Sequence, residues 1–253
     1  MFTLSLDEIM RISREQAQTA EFPNPPERPL PDSIARLIDH TLLKAEALPQ
    51  QIDQLCAEAL EYQFASVCVN PLYVQRCAQA LQGSPVKVCS VIGFPFGATP
   101  SAVKVFETQT CLENGAAEID MVIQIGMLRA GELQAVQDDI QAVAEATHAA
   151  GGILKVIIET CYLNQAEKIA AILLARNADA DFVKTSTGFG PAGATLEDVR
   201  LMSAIAKPAM CIKSAGGIRT FQQALEYYQA GTDRIGASSG VKIVEEFKQW
   251  QGA

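Results

Sequence analysis

The sequence predicts an α/β protein of the (β/α)8 barrel type, and three observations carry that expectation. Short apolar runs rich in β-branched residues alternate with longer helical patterns eight times from Ser33 onward, as repeated βα units do. The strand candidates are apolar almost throughout, which suits a parallel sheet covered by helices. The length of 253 residues at 49% hydrophobic composition supports one large core, and barrels of this size are commonly one domain. An open doubly wound sheet is the competing architecture; no GxGxxG follows the first strand candidate, which counts against it.

Residues 1–31 read as a short N-terminal helical extension, with Leu4, Ile9, Met10 and Ile12 forming its apolar stripe, followed by the linker EFPNPPERPLP. Proline holds that linker extended and outside a core sheet. The barrel domain is assigned to 32–253. Its strands are predicted at 36–40, 64–70, 86–94, 118–124, 154–160, 181–186, 209–215 and 233–238. The helices that follow them are predicted at 49–62, 71–82, 100–114, 129–150, 164–177, 195–206, 220–230 and 239–249. Thr99 and Pro100 read as the N-cap and first-turn proline of the third helix, which Asn114 and Gly115 end. Val136, Ile140, Val143 and Thr147 give the fourth helix one core-facing stripe.

Composition excludes several function classes. A formal net charge of −9 opposes nucleic-acid binding, because phosphate backbones require clustered Lys and Arg. No apolar run reaches the roughly 18 residues of a membrane span, and the expected location is the cytoplasm. Seven cysteines without CxxC spacing, among them Cys68, Cys89 and Cys211 in strand-like runs, read as reduced, buried thiols. With only His40 and His148 available, no metal is expected.

Catalytic groups of such barrels lie at the C-terminal ends of the strands, with phosphate usually after strands seven and eight. SAGGIRT (214–220) and IGASSG (235–240) fall there. Free amides at a helix start bind an oxyanion, and glycine lets the backbone approach it. Gly216, Gly217, Ser238 and Ser239 are therefore phosphate candidates, with Arg219 as a fork for the oxygens; the competing reading is that these are caps and turns.

Three adjacent strands carry a lysine among apolar residues: Lys155 in LKVII, Lys184 in FVKTS and Lys213 in CIKSA. Any one alone reads as an ion-pair member. Together they repel: two ammonium groups about 4 Å apart cost roughly 4 kcal/mol at an effective dielectric near 20, so that one is expected to be a neutral amine near pH 7. A neutral amine attacks a carbonyl carbon to form a Schiff base, whose iminium draws electrons from a neighbouring C–C bond. Asp120 in EIDMVI, on the strand beside the lysines, is either the proton shuttle or the counter-ion of Lys155 or Lys213.

The strings LIDHTLL, VCVNP, IGFPFGAT, EIDMVI, LKVIIET, KTSTGF, KSAGGIRT and IGASS, in order over residues 37–239, resemble the 2-deoxyribose-5-phosphate aldolases, a family of class I aldolases. The resemblance implies a TIM barrel that reversibly cleaves 2-deoxy-D-ribose 5-phosphate to D-glyceraldehyde 3-phosphate and acetaldehyde without a metal or organic cofactor. It implies that Lys184 is the Schiff-base nucleophile, that Lys213 disfavours its charged form, and that Asp120 acts as general acid/base with a water. Lys155 takes a supporting role. Gly188, Gly216, Gly217, Ser238 and Ser239 match the phosphate site, with Arg219 alongside, and Asp39, Thr41 and Cys68 line the sugar end. Cys68 reads equally as a small buried filler. Where some members carry a lysine toward the phosphate, this chain has Phe189. The implied partner is a small phosphosugar, and a homodimer is one option for the assembly. The rivals are a Schiff-base aldolase for another sugar phosphate and a non-catalytic phosphosugar-binding barrel.

Overall fold

Eight parallel strands close on themselves in chain order in the computed structural model, which describes residues 3–18 and 22–252. The parts of the predicted extension at residues 1, 2 and 19–21 lie outside the described residues. The strands are β1 (Ile38–Leu42), β2 (Ser66–Val69), β3 (Lys87–Ile92), β4 (Glu118–Val122), β5 (Ile153–Ile157), β6 (Phe182–Lys184), β7 (Cys211–Ala215) and β8 (Arg234–Ala237). The helices are α1 (Leu6–Gln16), α2 (Pro49–Tyr62), α3 (Val74–Ala80), α4 (Ser101–Glu113), α5 (Ile125–Arg129), α6 (Leu133–Ala149), α7 (Gln165–Asn177), α8 (Leu196–Ala206), α9 (Phe221–Gln229) and α10 (Gly240–Gln251). The result is the TIM (β/α)8 barrel expected.

Burial explains why these segments are strands. Every residue of β2, β4 and β6 is buried, one face against the helices and the other inside the barrel, so apolar side chains serve both. The stripe Val136, Ile140, Val143 and Thr147 on α6 is fully buried, as its three- and four-residue spacing requires.

Several local expectations need correction. Residues 129–150 are not one helix: α5 ends at Arg129, and Gly131, at φ 84°, turns the chain into α6. The first strand starts later than predicted because residues 34–37 form a 3-10 turn, and a 3-10 turn at Pro71–Tyr73 precedes α3. Thr99 does not cap α4; Pro100 is the N-cap residue, with no side-chain cap bond. Gly115, at φ 102°, does follow the Asn114 C-cap. Cys211 is exposed, because it opens β7 at the end of the barrel remote from the glycine loops.

The extension is fastened to the outer shell. Ser5 and Glu8 form a capping box on α1, Ile9 is fully buried, and Asn177 at the end of α7 donates to Leu4 O at 2.7 Å and accepts from Leu4 N at 3.1 Å. The proline-rich strap then crosses α8 and α9. Arg28 donates to Thr232 O at 2.6 Å and stacks over Tyr228 at 3.9 Å, and Asn24 accepts from Arg200 at 2.6 Å.

Candidate active site

Strand register brings the three lysines and Asp120 together inside the barrel. Asp120 pairs with Lys155 across β4 and β5, and Lys184 pairs with Lys213 across β6 and β7. Lys155 faces Phe182 and Lys184 faces Ile157, which sets Lys184 one side-chain layer nearer the C-terminal mouth. Inward positions recur every second residue, so a short lysine strand delivers its ammonium to the axis.

Asp120 is the hub. Its Oδ2 accepts from Lys184 Nζ at 2.7 Å and from Lys213 Nζ at 2.6 Å, and its Oδ1 accepts from Lys155 Nζ at 2.9 Å and Cys89 Sγ at 3.1 Å. Lys213 also meets Asp39 at 2.6 Å, and Lys155 meets Glu118 at 2.6 Å. Arg234 completes the cluster against Asp39 and, at 3.0 Å, Glu118. Four cations thus face three carboxylates.

Burial and pairing compete at each group. Burial would raise Asp120, but Lys155, Lys184 and Lys213 outweigh it and hold its carboxyl well below the usual range. Asp39 is held low against burial by Arg234, Lys213 and Lys155. Burial would lower Lys213, yet Asp120 and Asp39 keep its ammonium above the ordinary lysine range, and Asp120 leads the same reversal at Lys155. Bare repulsion between Lys184 and Lys213 is therefore an incomplete picture, since one carboxylate oxygen lies between them.

Of the three lysines, Lys184 alone reaches the cavity at the mouth. That cavity, of about 270 Å³, is lined by Lys184, Thr41, Gly188, Gly216, Gly217, Arg219 and Ser238. Gly188, Gly216 and Gly217 all have φ near +87°, a backbone that favours glycine. Ser239 is the N-cap residue of α10 and does not line the cavity. Lys213, Lys155, Asp120 and Asp39 are fully buried beneath it. Cys68 is fully buried and packs with Cys89, Val91, Leu43 and Phe94. A larger cavity, about 780 Å³, lies instead between the strap and α8 and α9. It is remote from the lysines.

Sγ of Cys68 and Cys89 and an Asp120 oxygen lie within 4.8 Å of one another. They make a poor metal site, because Lys155 sits 3.4 Å from Cys89 Sγ, ammonium groups occupy both Asp120 oxygens, and burial pushes the Cys89 thiol well up.

Sequence reasoning missed several residues here. Glu118 stands two residues before Asp120 and Arg234 two before Gly236, so the period of two was the available signal. Lys44, exposed in the loop after β1, lines the cavity, and nothing local marks it. Gly236 makes room for Lys213: a Cβ there would stand 3.2 Å from Lys213 Cε and 3.0 Å from Ala215 Cβ. His40, in the DHT motif, faces outward, with Nε2 2.6 Å from Glu58 and its ring against Phe64.

Residues 34–246 match the model of the DeoC/LacD family of aldolases. The chain belongs to this family. Within it, the chain is 55% identical over 211 residues to the deoxyribose-phosphate aldolase of Streptococcus uberis, covering 83% of this chain and 95% of that protein. It is 56% identical over 214 residues to that of Thermococcus kodakarensis, covering 84% and 96%. Among solved structures, one from Coccidioides immitis superposes with a TM-score of 0.90 at 44% identity, covering 98% of this chain and all of that one. The tetrameric deoxyribose phosphate aldolase of Aeropyrum pernix matches with a TM-score of 0.82 at 33% identity, again over 98% and 100%. The family match begins at residue 34 and so leaves the helical extension outside it, whereas both structural matches cover nearly the whole chain.

Proposed function

We propose that Lys184 is the amine through which this family member cleaves 2-deoxy-D-ribose 5-phosphate, reversibly, to D-glyceraldehyde 3-phosphate and acetaldehyde. The observation that carries the assignment is the sharing of Asp120 Oδ2 by Lys184 and Lys213, with only Lys184 open to the cavity. A cluster with one cation in excess releases one proton most readily. Lys184 has one carboxylate contact, whereas Lys213, Lys155 and Arg234 each have at least two.

The neutral amine attacks C1 of the open-chain sugar, and loss of water from the carbinolamine leaves an iminium. The C3 hydroxyl then gives up its proton, the C2–C3 bond breaks, and its electrons move to the iminium to form an enamine. D-Glyceraldehyde 3-phosphate leaves. Protonation of the enamine carbon and hydrolysis release acetaldehyde and return the Lys184 amine. Asp120, held as a carboxylate, orients Lys184 and Lys213 and relays these protons with a water. Lys213 is the fixed cation that disfavours a second ammonium at Lys184, and Lys155 with Glu118, Asp39 and Arg234 holds the hub in place.

The phosphate is assigned to the amides around Gly188, Gly216, Gly217 and Ser238, with Ser239 heading α10, where backbone donors and the helix dipole favour an anion. Phe189 brings no charge; its ring packs edge-on against Phe94 at 5.4 Å. Lys44 and Arg219, which have no carboxylate partner among the described residues, supply the local positive charge. Thr41 is assigned to the sugar hydroxyls, and Cys68, buried behind the lysines, to filling space.

Incubation with 2-deoxyribose 5-phosphate should yield acetaldehyde and glyceraldehyde 3-phosphate. Turnover of a different sugar phosphate in its place would make the chain a Schiff-base aldolase of other specificity. We also propose self-association into at least a dimer through the exposed Leu72, Val103 and Phe106, since apolar patches of this kind mark contact sites; mass in solution, with and without Phe106→Glu, decides it. No helix among the described residues is long and apolar enough to cross a membrane. Seven free cysteines suit a reducing compartment such as the cytoplasm.

A further inference from the structure

The carboxylate of Glu159 is used nowhere in the scheme above, yet it lies directly beneath the loop that follows Lys184. Glu159 is 1% exposed and has φ 52° and ψ 67°, a left-handed backbone rarely adopted without glycine. Its neighbours tie the same place to β6: Ile158 N donates to Lys184 O at 3.0 Å, and Thr160 N donates to Thr185 O at 2.9 Å. The turn therefore aims the Glu159 side chain at the strand end that carries Lys184.

Three donors from the loop and its surroundings converge on that carboxylate. Thr187 N donates to both oxygens at 3.2 Å, the Thr187 hydroxyl donates to Oε2 at 2.5 Å, and Cys161 Sγ lies 3.8 Å from Oε1. The Thr187 hydroxyl in turn accepts from Phe189 N at 3.0 Å. Gly190 closes over the group, since a Cβ there would meet Cys161 Sγ at 2.9 Å and Glu159 at 3.4 Å. Of the three consecutive amides 187, 188 and 189, the outer two are committed inward. Gly188 N has no hydrogen-bond partner among the described residues, and Gly188 lines the cavity.

We infer that Glu159, acting through Thr187, is a positioning residue for the substrate phosphate: it commits the flanking amides so that, of this loop's three, the Gly188 amide is the one presented to the anion. The inference rests on the reading of this cavity end as the phosphate site. It also accounts for a buried carboxylate close to where an anion binds. Its lone pairs are spent on Thr187, so the field it projects into the cavity is offset by the donors it fixes.

Inorganic phosphate provides the test that needs no turnover. Titrated calorimetrically into the full-length protein, it should bind at least about tenfold more weakly to Thr187→Val and Glu159→Ala than to wild type, and Thr187→Ser should restore most of the loss. In kinetics the same variants should lose at least tenfold more kcat/KM with 2-deoxyribose 5-phosphate than with 2-deoxyribose, through KM. Equal phosphate affinity in wild type and Thr187→Val, or equal losses on the two sugars, would overturn the inference. If wild type binds phosphate but cleaves neither sugar, the substrate reading fails while the phosphate comparison still decides the role of Glu159.

Discussion

Replacing Lys213 by Met removes the cation that shares Asp120 Oδ2 with Lys184 and also faces Asp39 at 2.6 Å. In the wild-type cluster four cations face three carboxylates; in the variant the numbers are equal, and Asp120 Oδ2 keeps a cation only if Lys184 keeps its proton, Lys155 being on Oδ1. With both nitrogens hydrogen-bonded to one oxygen, their separation is about 4 Å, for which the bare repulsion is roughly 4 kcal/mol at an effective dielectric near 20, an upper bound because the Asp120 carboxylate lies between them. That energy corresponds to about three pH units. The kcat/KM profile of Lys213→Met should therefore move its rising limb to higher pH by up to about three units, with activity at pH 7 falling by up to about a thousandfold. The assay is cleavage of 2-deoxyribose 5-phosphate followed from pH 5 to pH 10. An unshifted profile, with activity reduced equally at every pH, would refute the electrostatic role and leave Lys213 a purely steric one.

Other outcomes follow from the same geometry. Gly236→Ala should press on Lys213 Cε and Ala215 Cβ, costing about 1–3 kcal/mol of stability by overpacking and about 10- to 100-fold in kcat; wild-type kcat would show that Lys213 has room to move. Because Asp120 and Asp39 are held below the usual carboxylate range, their contribution to stability is complete above about pH 4 and lost as pH falls through the lowered values. Lys155 and Lys213, held above the usual lysine range, contribute fully below about pH 10 and lose that contribution only as pH rises further; urea unfolding from pH 3 to pH 11 should show both limbs. Ile9→Ala should cost about 2–4 kcal/mol in the same assay, since Ile9 is fully buried, without changing KM.

What was legible in the sequence was what depends on local pattern. Near-continuous apolar strands told of a parallel sheet, and lysines set among them, as at Lys155, told of a polar barrel interior. The glycine runs after β7 and β8 were placed by the regularities of barrels. What escaped depends on register and on groups distant in the chain. That one oxygen of Asp120 stands between Lys184 and Lys213 requires the stagger of four strands. Arg234 and Glu118, on β8 and β4 and 116 residues apart in the chain, become partners only when β8 closes on β1. Ser239 differs from Ser238 in the same IGASSG run: it is the N-cap residue of α10 and is not among the residues that line the cavity. The break at Gly131 escaped because Leu128 and Leu133 keep an apolar stripe going on both sides of it, and the exposure of Cys211 because a strand's first residue can leave the core without breaking its pattern.

The central claim, that Lys184 is the amine that forms the Schiff base, is tested most directly by borohydride trapping. Protein incubated with acetaldehyde and reduced should gain an ethyl group, and peptide mapping should place it on Lys184, with Lys184→Met unlabelled and inactive. A label on Lys213 or Lys155, or turnover retained in Lys184→Met, would contradict the account.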